Sequence, residues 1–461
     1  MTDQARHNLP ERDPKERRAD FKEVTLGFDL KTVVAEAERC LGCKNAPCMQ
    51  GCPVSVHIPE MMAAVKKGDF AAAAGIVKST NFLPSVCGRV CPQEVQCESK
   101  CVRGIKGSAV AIGAVERFVG DYALGSEEKT PSLPETGKKA AVVGSGPSGL
   151  TCAATLLKAG IAVDIYESLH KAGGVLEYGI PEFRLPKSLV KKEIDSVIAL
   201  GANVYTDKVV GKTVTIDELE QKYDAVFIGS GAGLPMFMNV PGESLNGVLS
   251  ANEYLTRINL MGAYKPDCAT PVMRGKNVVV VGAGNVAMDA ARCAVRMGAE
   301  SVTVVYRRSR DEMPARKEEV RHAEEEGVIF EFLSNPVRFI GDEKGNLVGA
   351  ECIKMRLGEP DSSGRRRPEP IEGSKYEIRA DMAIIALGTS PNPLLSRSCP
   401  ELKTGRRGTL ETDDNLKTSL ENVYAGGDAV TGAATVILAM GAGKKAAESI
   451  IRKLAGEEKC L

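Results

Sequence analysis

Residues 138–160 read KKAAVVGSGPSGLTCAATLLKAG, and this stretch decides the fold of the central part of the chain. An apolar run leads into three spaced glycines and then into an alanine-rich segment, the order of a strand, a tight turn and a helix. Gly144 permits the turn, Gly146 lets a pyrophosphate approach the backbone, and Gly149 allows close contact between helix and strand. The stretch therefore predicts a dinucleotide-binding βα unit with phosphates at the helix N-terminus.

The same pattern returns at residues 275–299, GKNVVVVGAGNVAMDAARCAVRMGA. Its first glycine, Gly282, lies 138 residues after Gly144. Gly284 holds the second position, and Ala287 at the third is an accepted variant. One supersecondary unit used twice predicts an α/β fold with two Rossmann-like, dinucleotide-binding domains.

The strand after each glycine turn ends in residues of opposite charge. Glu167 follows the first copy, where a carboxylate accepts hydrogen bonds from a ribose hydroxyl. Arg307 and Arg308 follow the second copy, where guanidinium groups would pair with a 2′-phosphate. A surface glutamate and a solvated basic pair beside Arg310 and Arg316 are the alternatives. The division favours FAD on the first copy and NADP(H) on the second.

A third glycine turn, Gly426-Gly427-Asp428, follows a short apolar segment near the end of the chain. An aspartate in such a turn can hold the ribityl or pyrophosphate part of a flavin dinucleotide. An ordinary aspartate-containing turn is the alternative interpretation.

Cysteine is concentrated near the N-terminus, where eight of the 14 cysteines lie between residues 40 and 101. They form two runs: Cys40, Cys43, Cys48 and Cys52, then Cys87, Cys91, Cys97 and Cys101. Eight thiolates are enough for two four-thiolate clusters, and proline follows Cys52 and Cys91 as in bacterial ferredoxins. Zinc is the alternative, although its sites usually pair two more regular cysteine knuckles. The runs therefore favour iron–sulfur chemistry.

The overall composition excludes several classes of function. Lys+Arg and Asp+Glu both total 60, so the net charge of zero gives no reason to expect a nucleic-acid partner. No apolar stretch approaches the ~20 residues that span a bilayer, and the N-terminus lacks an apolar signal core. We therefore expect a cytoplasmic protein without membrane insertion.

Several other residues receive no catalytic role. The remaining cysteines form no Cys-x2-Cys pair, which disfavours a local redox dithiol and predicts small buried residues; they are Cys152, Cys268, Cys293, Cys352, Cys399 and Cys460. The histidines are scattered along the chain. The segment DEMPARKEEVRHAEEEG (311–327) predicts a helix with a solvated, charged face.

Motifs distributed over nearly the whole chain resemble those of a known family. The family comprises the small subunit of NADPH-dependent glutamate synthase and the large subunit of NADH-dependent reduced ferredoxin:NADP+ oxidoreductase. The motifs are CLGCKNAPCMQGCPV (40–54), VCGRVCPQEVQCESKC (86–101), GGVLEYGIPEFRLPK (173–187), VVYRRSRDEMPA (304–315) and AGGDAVTGAATVILAMGAGKKAA (425–447). The third and last of these look nearer to the ferredoxin:NADP+ oxidoreductase branch.

The resemblance implies a set of site residues. FAD would lie on Gly144, Gly146, Ser148, Gly149, Glu167, Gly174, Gly427, Asp428 and Thr435; NADP(H) would lie on Gly282, Gly284, Asn285, Val286, Arg307 and Arg308. One [4Fe-4S] cluster would take Cys40, Cys43, Cys48 and Cys101; the other would take Cys52, Cys91, Cys97 and Glu116. Cys87 would then be free.

The same resemblance and the motif positions divide the chain into four parts. Residues 1–137 would form a helical iron–sulfur domain with a linker, and residues 138–265 the first part of an FAD-binding domain. An NADPH-binding domain, 266–384, would be inserted before the second part of the FAD-binding domain, 385–461.

The cofactors define the expected activity. NADPH delivers two electrons and iron–sulfur clusters carry one each, so FAD must lie between them. We expect an oxidoreductase subunit of the ferredoxin:NADP+ type, in a hetero-oligomer with a flavoprotein or ferredoxin, where the FAD would bifurcate electrons. The alternative is the glutamate synthase small subunit. An iron–sulfur sensor and a lone NADPH:acceptor reductase are further hypotheses.

Overall fold

The computed structural model describes residues 5–126, 135–361 and 364–456. Residues 127–134 of the predicted linker (121–137), residues 362–363, and Cys460 lie outside the described residues. Among the described helices, none has the length and apolar character that a membrane crossing requires.

The N-terminal part of the described chain is helical. Its α-helices are α1 (Pro14–Arg17), α2 (Leu30–Glu38), α3 (Pro47–Gln50), α4 (Ile58–Lys66), α5 (Phe70–Lys78), α6 (Pro84–Val90) and α7 (Ile112–Gly125); short 3-10 helices follow α6 at Gln93–Val95, Glu98–Lys100 and Val102–Ile105. Asp29 caps α2 by accepting the Thr32 amide, and Asp69 caps α5 by accepting the Ala72 amide. Cys48 lies within α3 and Cys87 within α6, and the other six cysteines of the two runs lie beside these short helices or in the loops between them.

The first dinucleotide fold follows in chain order. Its elements are β1 (Lys139–Val143), α8 (Pro147–Lys158), β2 (Ala162–Tyr166), α9 (Val175–Tyr178), α10 (Lys187–Ile198), β3 (Asn203–Tyr205), α11 (Ile216–Lys222) and β4 (Ala225–Ile228). The parallel sheet has the order β3-β2-β1-β4 and gains one more strand from the end of the chain. The glycine turn therefore lies at the carboxyl edge of a central strand, where ligands bind in such sheets.

The second fold repeats this arrangement with an added β-layer. Its elements are β5 (Leu234–Pro235), β6 (Val248–Ser250), α12 (Ala251–Asn259), β7 (Asn277–Val281), α13 (Asn285–Arg296), β8 (Ser301–Tyr306), α14 (Lys317–Glu325), β9 (Ile329–Phe332), β10 (Ser334–Gly341), β11 (Leu347–Pro360), β12 (Arg366–Pro370), β13 (Tyr376–Arg379) and β14 (Met382–Ile385). The parallel order is β6-β14-β7-β8-β9, while β10 to β13 form an antiparallel layer. The sequence motifs gave no signal for that layer.

The chain then returns to the first sheet. The last elements are β15 (Thr389–Ser390), α15 (Leu394–Ser398), β16 (Val423–Ala425), α16 (Asp428–Thr431) and α17 (Val436–Leu454). β16 pairs in parallel with β4, so it occupies the same outer position that β6 takes in the second sheet. β5 and β15 pair with each other where the chain passes between the two folds.

The predicted domain boundary between residues 265 and 266 is misplaced. β6 pairs with β14 of the second sheet, and Tyr254, Leu255 and Ile258 of α12 are buried in the core of the second fold. The second sheet needs an outer strand beside β14, and this strand is too short to show a period in the sequence. The segment from Val248 onward therefore belongs with the second fold.

The helix predicted within 311–327 has the expected solvated, charged face, since Lys317, Arg321 and Glu325 are exposed, but its other face carries buried charge. α14 forms, but Glu319 and the adjoining Glu326 are buried and paired with Arg292, and Arg17 of the N-terminal segment pairs with Glu326 as well. Burying a carboxylate is tolerated because several guanidinium groups surround it. α14 thus joins the N-terminal segment to the second dinucleotide fold.

Candidate cofactor-binding sites

The first glycine turn is tightly packed on one side and open on the other. Gly144 has φ +96°, and a Cβ on it would stand 2.5 Å from the Gly229 carbonyl oxygen. A Cβ on Gly149 would stand 1.9 Å from the Gly144 oxygen, so α8 packs directly on the turn. Gly146, by contrast, has open space beside its Cα. This backbone cradle at a helix N-terminus fits a pyrophosphate.

Glu167 lies directly after β2, beside this turn, and is buried. One carboxylate oxygen accepts the Ser145 amide (3.0 Å) and the Ser145 hydroxyl. The other accepts the Leu169 amide (2.8 Å). These bonds hold the carboxylate at the carboxyl edge of the sheet, which fits the ribose-binding position expected from the sequence.

Tyr178 and Asp428 complete the same region, and the sequence reasoning gave no individual role to Tyr178. Burial raises the pKa of Tyr178 to about 12, with the carboxylates of Asp428 and Glu167 adding to the effect. Burial also raises the pKa of Asp428 to about 6, although its carboxylate accepts the Ala434 amide. The turn at 426–428 is thus brought to Glu167 although the two are far apart in sequence.

The other residues predicted for FAD surround the turn. A Cβ on Gly174 would stand 2.9 Å from Gly146 Cα. A Cβ on Gly427 would stand 2.9 Å from the Ser148 hydroxyl oxygen. Thr435 caps α17 through its hydroxyl, which accepts the Leu438 amide (3.3 Å). All the predicted residues therefore lie on segments that meet at one edge of the first sheet.

The second glycine turn has the same form. Gly282 has φ +125°, and a Cβ on it would stand 2.4 Å from the Ala386 carbonyl oxygen. A Cβ on Gly284 would meet only the Pro314 ring, with 3.9 Å to its Cγ, so the space beside Gly284 is open. Asn285 begins α13 and its side chain accepts the Arg316 amide (3.0 Å), while Val286 is exposed. An open turn at a helix N-terminus again fits a pyrophosphate.

The two arginines after β8 are not equivalent. Arg308 is buried: its Nε donates to the Arg366 carbonyl (2.8 Å) and its Nη2 pairs with Asp361 (2.7 Å). Arg307 is exposed, and the described part of the chain offers it no recorded hydrogen bond or ion pair. Of the two cations predicted for the phosphate, Arg307 is therefore the exposed one, whereas two guanidinium nitrogens of Arg308 are bonded to the β-layer.

Four cysteines meet around one small pocket. Cys40, Cys43, Cys48 and Cys101 line it together with Leu41, Pro47, Met62 and Lys100. Burial, together with the neighbouring thiols of Cys101 and Cys40, raises the pKa of the Cys48 thiol to about 11. Cys101 follows Cys48 by 53 residues, so two distant segments supply one all-thiol donor set, which fits an iron–sulfur cluster.

A second group combines Cys52, Cys91 and Cys97 with Glu116 of α7. Burial, together with the nearby Glu116 carboxylate and Cys91 thiol, raises the pKa of the Cys52 thiol to about 11. Glu116, Cys91 and Cys52 also lie near the Cys97 thiol. Burial raises the pKa of Glu116 itself to about 7. Three thiols and one carboxylate that lie close together, largely shielded from solvent, fit a cluster with one oxygen ligand.

Asn81 fixes the orientation of Glu116. Its side-chain oxygen accepts the Leu83 amide (2.9 Å), so its amide group points toward Glu116 and donates to Oε1 (2.6 Å). The Cys87 thiol also contacts Asn81 Oδ1 (3.7 Å), and its sulfur lies 3.5 Å from the Met440 sulfur on α17. Cys87 is thus beside the second group and faces α17.

The prediction that the cysteines outside the two runs are buried holds for four of the five described ones. Cys152, Cys293, Cys352 and Cys399 are buried, as predicted for small core residues. Cys268 is partly exposed and its thiol donates to the Met261 carbonyl, so that prediction is wrong for Cys268.

The fold and these sites define a class of protein, an NADPH-dependent oxidoreductase with flavin and iron–sulfur centres. A family model described as pyridine nucleotide-disulphide oxidoreductase matches residues 123–443. Another, described as dihydropyrimidine dehydrogenase domain II with a 4Fe-4S cluster, matches residues 17–128. The chain belongs to the family of the glutamate synthase small chains: it is 37% identical to that of Escherichia coli over 98% of both chains.

Other relatives carry different names. The chain is 41% identical to the NADP(+)-dependent formate dehydrogenase subunit beta of Moorella thermoacetica, matching over 88% of this chain and 59% of that one. It is 39% identical to the NADPH-Fe(3+) oxidoreductase subunit beta of Geobacter sulfurreducens, over 95% and 68%. FprA of Mycobacterium tuberculosis in complex with NADPH has a TM-score of 0.59 at 21% identity, covering 70% of this chain and 85% of that one, which shows a shared fold.

Proposed function

We propose that the chain is an electron-transfer subunit that connects NADP(H) to a redox partner through FAD and two [4Fe-4S] clusters. The observation that carries this proposal is the position of α17. Its Gly443 packs on the Ser148 backbone of the first glycine turn. One turn earlier, Met440 touches Cys87 and Gly441 packs on Pro53, next to Cys52. A single helix therefore lies against both the proposed flavin site and the second cysteine group.

The residues of the chain act by binding and orientation. FAD held at the first glycine turn would supply the chemistry that links the two-electron donor NADPH to one-electron iron–sulfur centres. The glycine turns bind the two pyrophosphates, and Glu167 orients the adenosine ribose. Arg307 supplies the cation for the 2′-phosphate, while Arg308 braces the strand end through Asp361. The two cysteine groups and Glu116 would hold the clusters, and the second group is the more deeply buried of the two.

Replacing Glu116 by alanine is expected to alter one cluster and leave the other unchanged. The carboxylate is the one oxygen donor in the second group, so its loss changes the electronic environment there. EPR of the dithionite-reduced protein measures this as a shift or loss of one signal. Asn81→Ala should give a smaller shift of the same signal, because the carboxylate remains but loses its hydrogen bond. An unchanged spectrum in Glu116→Ala removes this residue from the proposed ligand set.

Arg307→Ala is expected to weaken the preference for NADPH over NADH by about tenfold to a hundredfold, as for the loss of a charge-assisted hydrogen bond. Steady-state kcat/KM for both nucleotides with a small artificial acceptor measures the ratio. The control is Arg397→Ala, an arginine in α15 outside the second fold, which should leave the ratio unchanged. Equal losses for NADPH and NADH in Arg307→Ala contradict the phosphate role.

For the full reaction, we propose the NADH-dependent reduced ferredoxin:NADP+ oxidoreductase type, with bifurcation at the FAD. The motifs GGVLEYGIPEFRLPK and TGAATVILAMGAG support this branch. The glutamate synthase small chain is the second candidate, favoured by the match over 98% of the Escherichia coli protein. The subunit that co-purifies under anaerobic conditions decides between them. A partner that supports ferredoxin-dependent NADP+ reduction requiring NADH favours the first, and one that produces glutamate from glutamine favours the second.

A further inference from the structure

The segment 180–187, IPEFRLPK, lies between elements of the first dinucleotide fold in chain order, but its middle part is buried in the second fold. Phe183 is fully buried in the hydrophobic core of the second fold. Its ring packs against two arginines of α13: the guanidinium carbons of Arg292 and Arg296 stand 4.7 Å and 3.9 Å from the ring centre. Because residues 180–187 connect the two folds, we refer to them as the clamp segment.

Arg184 forms the charged part of this connection. Its Nη1 donates to both carboxylate oxygens of Asp289 in α13, at 2.8 Å each. Its Nε lies 2.8 Å from the carboxylate of Glu319 in α14. The side chains of all three residues are more than nine-tenths buried. Separating them would leave a buried carboxylate without its partner, which is costly, so Arg184 holds α13 firmly.

Asp289 lies on the helix that carries the proposed NADP(H) turn. α13 begins at Asn285, directly after Gly284, and Asp289 follows about one helical turn later. Asp289, Arg292 and Arg296 are spaced by three and four residues, so they share one face of α13. The clamp segment covers this face. The position of the clamp segment therefore sets the position of the second glycine turn.

The clamp segment is also tied to the proposed flavin turn. The ammonium group of Lys187 donates to the carbonyl of Leu176 in α9 (2.6 Å) and to the carbonyl of Ile180 (2.5 Å). α9 directly follows Gly174, where a Cβ would stand 2.9 Å from Gly146 Cα in the first glycine turn. A short, hydrogen-bonded stretch of chain therefore joins one glycine turn to the other.

We infer that Arg184 is a positioning residue for hydride transfer between NADP(H) and FAD, because it fixes the second glycine turn relative to the first. This inference rests on the proposed function. Hydride transfer needs the two reacting atoms about 3–3.5 Å apart, and a misplacement of about 1 Å can cost about a hundredfold in rate. The clamp segment contains none of the residues predicted to bind either dinucleotide. Loss of Arg184 should therefore change the distance between the two cofactors and leave the binding of each intact.

Anaerobic stopped-flow reduction of the holoprotein's flavin by NADPH tests the role of Arg184. In Arg184→Ala, the limiting rate at saturating NADPH is expected to fall about tenfold to a hundredfold. The NADP+ dissociation constant, measured by equilibrium dialysis, should stay within about threefold of the parent value. The charge-transfer absorbance of NADPH with oxidised flavin should weaken, because it depends on stacking of the two rings. Dithionite, which needs no nucleotide site, should reduce the flavin of both proteins equally fast.

Three further variants separate positioning from folding. Arg184→Lys keeps the charge on a single ammonium group and should recover part of the rate. Arg184→Gln/Asp289→Asn removes both charges together, so it should show the slow rate without leaving Asp289 as an unpaired buried carboxylate. The control is Arg257→Ala, which breaks an exposed pair with Glu253 on α12 and should leave the limiting rate within about twofold.

The outcomes also separate this inference from the proposed function. If Arg184→Ala and the double variant reduce their flavin at the parent rate, the positioning role is refuted and the electron-transfer function stands. A loss of rate matched by an equal loss of NADP+ affinity or of flavin content also overturns the inference, because Arg184 then acts on binding or folding. If the parent protein holds no flavin or is not reduced by NADPH, the proposed function fails and the inference fails with it.

Discussion

Gly443→Ala is expected to destabilise the protein and to empty the flavin site. A Cβ on this residue would stand 2.1 Å from the Ser148 carbonyl oxygen, a contact that backbone cannot accommodate without a shift of α17. Overpacking of this kind costs about 1–3 kcal/mol or more, and here it displaces α8 at the glycine turn. Flavin content after purification and the thermal unfolding midpoint measure the two effects.

A glycine in another helix provides the control. Gly75 lies inside α5, and a Cβ there would meet nothing within 4 Å. Gly75→Ala should therefore keep full flavin content and raise stability by up to about 1 kcal/mol, as alanine does in an open helical position. A Gly443→Ala protein with normal flavin and an unchanged unfolding midpoint contradicts the proposed packing of α17 on the flavin site.

The cysteine variants Cys91→Ser and Cys87→Ser are expected to differ sharply although the residues lie one helical turn apart. Cys91 belongs to the proposed second ligand set, so its loss should remove about half of the roughly eight iron atoms and one EPR signal. Cys87 already contacts Asn81 and Met440, and serine at this position should leave the iron content unchanged.

Iron and sulfide analysis after anaerobic purification measures the difference between the two variants. Cys152→Ser, a change to a buried cysteine of α8, serves as the control for handling losses. Loss of iron in Cys87→Ser restores an all-cysteine ligand set with Glu116 outside it. Full iron in Cys91→Ser contradicts both assignments.

The glycine turns could be predicted from the sequence because their chemistry is local. Gly144, Gly149 and Glu167 lie within one strand–helix–strand unit, and the same spacing places Gly282 and Arg307 in the second. The α/β class and the helical cysteine-rich part followed from these patterns and from the resemblance to a known family. The positions of the strands agree because parallel strands with a glycine turn allow few alternatives.

The features that were missed depend on contacts between distant segments. Arg308 pairs with Asp361, which is 53 residues away, and Arg17 pairs with Glu326 across 309 residues. No local periodicity in the sequence indicates such pairs, so the sequence predicted neither the ion pair of Arg308 nor the buried face of α14. β6 was missed because three residues are too few to show the alternation or apolar run by which strands are recognised.

Anaerobic titration of the purified chain with NADPH tests the central claim most directly. The proposed path predicts that NADPH bleaches the yellow flavin absorbance and that EPR signals of reduced iron–sulfur clusters appear in the same titration. About eight iron atoms and one FAD per chain should accompany them. A protein whose flavin is reduced while its clusters stay oxidised even under excess NADPH and a low-potential reductant, or one without flavin and sulfide, contradicts the claim.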